Sequence, residues 1–98
     1  MTVVFTRIVT PKSGHLDRTM KFAKKRIKAL KKAYGLKVSL NVRMGGPAGQ
    51  LNMVSYHDNM GDLEKVRRKI IKGVASGKIP QPKPDTIESV EDCVWLRN

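Results

Sequence analysis

From Leu36 to Met44 every second residue is apolar (Leu36, Val38, Leu40, Val42, Met44), and the residues between are polar (Lys37, Ser39, Asn41, Arg43). This is the period-2 signature of a strand with two unlike faces. The glycine-rich stretch Gly45 to Gly49 reads as a hairpin turn into a second strand ending at His57. With Met44 opposite Leu51, that strand divides the same way: Leu51 and Met53 on the apolar face, Asn52, Val54 and Tyr56 on the other. Residues 3–10 (Val-Val-Phe-Thr-Arg-Ile-Val-Thr) are β-branched and aromatic apart from one arginine, which suits a strand buried on both faces. Alternation puts Phe5, Arg7 and Val9 on one side and Val4, Thr6 and Ile8 on the other.

Two stretches switch to the helical period. Between about His15 and Tyr34, Leu16, Met20, Ala23, Ile27, Leu30 and Tyr34 recur at steps of four and three and draw one stripe. Ser13 is a candidate N-cap, Asp17 suits the positive end of the dipole, and Gly35 suits a left-handed stop. From about Gly61 to Ser76, Leu63, Val66, Ile70 and Val74 form a second stripe with Ile71 beside it; Asp58 or Asn59 can cap it and Gly77 ends it. Pro80, Pro82 and Pro84 then forbid helix and interior ladder, so an extended surface connector is expected. The β-formers of Asp92 to Arg97 read as a short closing strand.

Strand, helix, strand, strand, helix, strand, joined by right-handed crossovers, is the order of a ferredoxin-like βαββαβ fold: a four-stranded antiparallel sheet with two helices on one face. A single domain spanning 1–98 is expected. Two helices cover one side of such a sheet. The other side is expected to carry Phe5, Val9, Val54, Tyr56 and Trp95, mixed with Arg7, Ser39, Asn41, Arg43 and Asn52. A surface of that apolar content calls for an occupant, either a nucleic acid stacked on the sheet or a second copy of the same sheet.

Charge widens the choice of occupant. The chain carries 20 Lys plus Arg against 8 Asp plus Glu, a formal +12, which admits nucleic acid, an anionic membrane surface or an acidic ligand. Against RNA on the sheet, the third strand Gln50 to Tyr56 offers no ring before Tyr56, and base stacking needs one. The basic residues concentrate on the two helices, so the competing reading is a nucleic-acid-binding module acting through them. The single Cys93 excludes an internal disulfide, and no apolar run is long enough to span a bilayer. With no signal-peptide pattern at the N-terminus, a cytoplasmic location is expected.

The run Gly49 to Arg68, with its Gly-x-Leu-Asn-x-Val strand, and the opening Phe5-Thr-Arg-Ile-Val-Thr-Pro-Lys-Ser-Gly14 resemble NIPSNAP-type members of the dimeric α+β barrel superfamily. The resemblance implies a homodimer packed sheet against sheet through the open face, with a pocket between sheet and helices or at the sheet interface. It further implies a small ligand, no cofactor, and, where a reaction is run, a monooxygenase-like oxidation or a proton transfer.

Arg7 is the most informative residue, because a guanidinium in an apolar strand must find an anion or carbonyls. Grouped with Asn41, Arg43, Asn52 and Tyr56, it would hold an anionic head group while Phe5, Val9, Val54 and Trp95 surround an apolar body. The alternative is an inter-subunit ion pair to an acid of the C-terminal segment. His57, beside Asp58, is a candidate general base, and Tyr56 and Asn52 are candidates for polarising a substrate. His15, His57 and Cys93 lack ligand-type spacing, so no metal site is expected.

Overall fold

The alternating and helical stretches fold as the patterns require. The computed structural model describes residues 2–44, 49–81 and 84–98. Its elements are β1 (Thr2–Pro11), α1 (Leu16–Tyr34), β2 (Ser39–Val42), β3 (Leu51–His57), α2 (Met60–Ala75), a short 3-10 turn (Pro84–Thr86) and β4 (Ile87–Arg97). The strands form one antiparallel sheet in the order β2-β3-β1-β4, and both helices lie on one side of it, giving the ferredoxin-like α+β arrangement.

Several expected details shift. β2 pairs Val42, not Met44, with Leu51; the slip is two residues, so the faces keep their identity. Four residues of the expected turn, 45–48, lie outside the described residues, as do Pro82 and Lys83 of the proline connector. Pro84 to Thr86 is helical rather than extended. The closing strand is 11 residues long, because it runs beside β1 over almost the whole of that strand's length. The N-cap of α1 is His15, which makes no side-chain cap bond: Gly14 turns at φ 81° and leaves Ser13 short of the helix. The expected stop holds at Gly35, whose φ of 67° carries its N–H to the Lys31 carbonyl, and the expected start at Asn59, which caps α2 by accepting from Asp62 N–H at 2.8 Å.

The register corrects one expectation that matters for function. Val3, Phe5, Arg7 and Val9 pair with His57, Ser55, Met53 and Leu51, and Val9 and Leu51 form the core with Ala23 of α1. Phe5, Arg7 and Val9 therefore face the helices, not the open side. β1 is apolar in both parities, so its alternation carried no information about which parity the helices cover.

α2 rests on the rest of the molecule at its two ends. Of its residues only Leu63 and Gly73 are buried. At Gly73 the helix meets Tyr34, whose hydroxyl donates to the Lys69 carbonyl at 2.9 Å, and Ile79, which is 1 % exposed. A Cβ on Gly73 would run into the Tyr34 hydroxyl and stand 2.7 Å from Ile79 Cγ1. Alanine normally stabilises a helix interior relative to glycine. Here overpacking wins: Gly73→Ala is expected to lower stability by about 1–3 kcal/mol, read as a lower thermal midpoint.

Candidate functional site: a cationic cavity between sheet and helices

Between its two supports α2 arches over the sheet, and the space beneath it is a cavity of about 260 Å³. Val66 and Ile70 roof it, Leu30 of α1 and Leu36 and Val38 of the following segment wall it, and Phe5, Arg7, Met53, Ser55 and His57 form its floor. Exposed Ile71 and Arg67 stand at its mouth. Interiors normally close to leave few voids larger than a water, whereas this one has room for about nine at ~30 Å³ each. The size is just under the usual range for ligand pockets, so an occupant is small.

Charge in this cavity is unbalanced. Arg7 presents its fork to Asp92 of β4: Nε donates to Oδ1 at 2.8 Å and Nη2 to Oδ2 at 3.0 Å. The hydrogen bond from Arg7 holds the Asp92 carboxyl below the usual carboxylate range against the opposing effect of burial, with Arg7, Arg67 and Arg26 adding attraction. The ion pair thus joins neighbouring strands of one chain, where an inter-subunit pair was the alternative. Arg26, half-buried on α1, lines the same cavity. Its burial and the repulsion of Arg7 lower its pKa, only partly offset by Asp92. Arg67 lies with Cζ 5.7 Å from the centre of the Phe5 ring, a cation–π placement. Three guanidinium groups therefore act on one carboxylate, and among the described residues neither Arg26 nor Arg67 has an ion-pair partner.

Arg26 is the residue that the sequence pattern passed over. It falls three after Ala23 and four before Leu30, so it sits on the buried stripe, and a charge at such a position was the available signal.

Of the residues expected around the ligand, the fold brings only Arg7 and Phe5 into the cavity, together with the candidate base His57. Val54 pairs across β1 with Thr6, and Tyr56 with Val4; Trp95 donates from Nε1 to Thr6 Oγ1 at 3.2 Å. Asn52, Asn41, Val54, Tyr56 and Trp95 therefore share the outer face, separated from Arg7 by the thickness of the sheet. Arg43 braces the hairpin, its Nη1 donating to Gln50 Oε1 at 2.6 Å. His57 is not bonded to Asp58; Ser55 Oγ lies 2.8 Å from its Nε2. Burial lowers the His57 pKa, with Asp62 and Asp58 pulling weakly the other way. Among the described residues no group of His, Cys, Asp and Glu could hold a metal, and no helix is long and apolar enough to cross a membrane.

The strand order and the single helical layer define a ferredoxin-like α+β protein. The same fold is found in a NIPSNAP family protein from Agrobacterium tumefaciens, 19% identical over 100% of this chain and 94% of that one, with a TM-score of 0.76. It is found again in an uncharacterized NIPSNAP domain protein from Burkholderia xenovorans, 9% identical over 98% of this chain and 94% of that one, at 0.80. A second Agrobacterium tumefaciens structure, a NIPSNAP family protein with unknown function, matches at 19% identity over 96% and 86% of the two chains, at 0.72. No protein-family model and no curated protein matches the chain. The likeness is one of fold, the fold that the Phe5 to Gly14 and Gly49 to Arg68 segments led us to expect.

The Arg7–Asp92 pair gives a pH test. The Asp92 pKa lies below its ordinary 3.8 in the folded state, so the unfolded chain takes up the proton first. The pair's stabilisation is present above about pH 3.8 and is lost as pH falls through the folded pKa. Asp92→Asn should lower the thermal midpoint at neutral pH and flatten its fall below that pH; an acid limb as steep as in the parent would contradict this.

Proposed function

We propose that this protein binds a small, largely apolar organic anion in the cavity beneath α2, with its anionic group on Arg26 and Arg67 and its body against Leu30, Val66 and Ile70. The observation that carries the reading is Arg26: a half-buried cation lining an apolar cavity beside a second arginine whose fork is already filled. Burying a charge without a partner is strongly unfavourable, and a carboxylate or phosphate would supply the partner. The exposed lysines of the helices would steer such a ligand inward. The nucleic-acid reading lacks a comparable observation.

The outer face belongs, in this reading, to a homodimer. Tyr56 and Trp95 are 57% and 59% exposed there, on the face that Val4, Ile8 and Val54 share, and Trp95 lies on the edge strand β4. Long apolar edge strands are commonly covered. The molecule measures 37 × 35 × 18 Å, so its broad face exceeds the ~800 Å² per partner of a standard interface. A second copy brings an equal apolar surface.

Octanoate, an eight-carbon carboxylate, should raise the thermal midpoint, and a ligand at about 100 times its Kd stabilises by about 2.7 kcal/mol. Arg26→Gln should remove most of that shift while leaving the unliganded protein at least as stable, because it deletes a repelled, half-buried charge. An undiminished shift in Arg26→Gln would refute the seat. Light scattering should give about twice the 11.0 kDa chain mass, and Trp95→Asp should shift it toward the monomer.

A further inference from the structure

The inner face holds one polar pair that ligand binding alone does not use. Ser55 and His57 are separated by one residue on β3 and point the same way, 4% and 7% exposed, with Oγ and Nε2 2.8 Å apart. Both line the cavity. With the imidazole proton on Nδ1, the Ser55 hydroxyl donates to Nε2, which is the arrangement of a serine nucleophile and its base. Directly across the ladder from Ser55 stands Phe5, and the guanidinium of Arg67 lies against that ring. A positive charge therefore lines the same cavity as Ser55, on the side of its cross-strand neighbour, where it can act on an oxyanion formed there.

We propose that Ser55 and His57 form a nucleophile–base dyad that cleaves small carboxylic esters bound in the cavity, with Arg67 stabilising the oxyanion. This rests on the cavity being a ligand site, as proposed above. Ser55 Oγ bonds to the ester carbonyl carbon while its proton passes to His57 Nε2. The bond from that carbon to the alcohol oxygen then breaks, and the alcohol leaves with the proton from Nε2. Water adds to the acyl-serine, gives its proton to the same nitrogen, and the acid departs as Ser55 Oγ is reprotonated. The apolar walls at Leu30, Leu36 and Val38 suit a short alkyl or aryl acyl group. Burial favours the neutral imidazole that the base requires. Asp58 and Asp62 lie near enough to act on His57 through space, and neither needs to bond it for the first step.

The test is covalent labelling of the intact protein with a short-chain alkyl fluorophosphonate, in which Ser55 Oγ would bond to phosphorus, fluoride would leave and His57 would take the proton. Peptide mass spectrometry should place the adduct on Ser55. Octanoate should slow the labelling, and His57→Gln should slow it by about 100-fold or more. The absence of an adduct on Ser55 in protein that still binds octanoate overturns the dyad, as does labelling indifferent to His57→Gln. Labelling of Ser55 in protein that octanoate does not stabilise supports the dyad and removes the carboxylate seat instead, so the two readings fail separately. Should His57→Gln not fold, the labelling rate of the parent protein is followed against pH. A rate that rises with pH and levels off below the ordinary histidine value of 6.5 supports the dyad, and a flat profile overturns it.

Discussion

Charge under the helices is the constraint on which the rest of this structure turns. A strand that carries a guanidinium into the layer between sheet and helices must neutralise it, and β1 does so by recruiting Asp92 from β4. That bidentate pair joins two neighbouring strands at a point where the sheet's inner face would otherwise be apolar. Filling the fork of Arg7 also fixes the problem posed by Arg26, which approaches the same carboxylate from α1 and finds it already engaged. The helices do not close over the surplus: α2 is buried only at Leu63 and Gly73 and leaves between them a cavity lined by Arg7, Arg26 and Arg67.

The two faces of the sheet meet different surroundings, and the division follows from register. On β3, Ser55, His57 and Met53 look inward while Asn52, Val54 and Tyr56 look outward. Inward residues meet a cavity with charge and the hydrogen-bonded Ser55–His57 pair; outward ones form a broad surface whose aromatic corner, Tyr56 and Trp95, has no helix above it. One seven-residue strand thus lines the cavity with one set of side chains and the open face with the other. Shared geometry of this kind also means that substitutions on the outer face reach the inner one only through the backbone.

How much of this was legible in the chain depends on which period carried the signal. The element order, both helical stripes, the stops at Gly35 and Gly77 and the two faces of β2 and β3 were readable because polar and apolar residues alternate there without ambiguity. β1 defeated the same logic, since Val4, Thr6 and Ile8 are as apolar as Val3, Phe5 and Val9; only pairing with Leu51 and Met53 tells which set is inside. That single ambiguity placed Arg7 among the outer-face residues. Arg26 was passed over as one of many basic residues on α1, although its spacing from Ala23 and Leu30 marks it as different from its exposed neighbours Lys24, Lys25 and Lys28. Ser55 was passed over for a third reason: alternation puts it on the same side as His57, but a small polar residue draws notice only once that side is known to face a cavity.

The most direct measurement is a crystal structure of the protein grown with octanoate. The account requires a carboxylate within about 2.7–3.2 Å of the Arg26 guanidinium, its chain running under Val66 and Ile70, with the Arg7–Asp92 pair undisturbed. A ligand on the outer face beside Tyr56 and Trp95, or an Arg26 side chain turned out to solvent over a closed cavity, would contradict it.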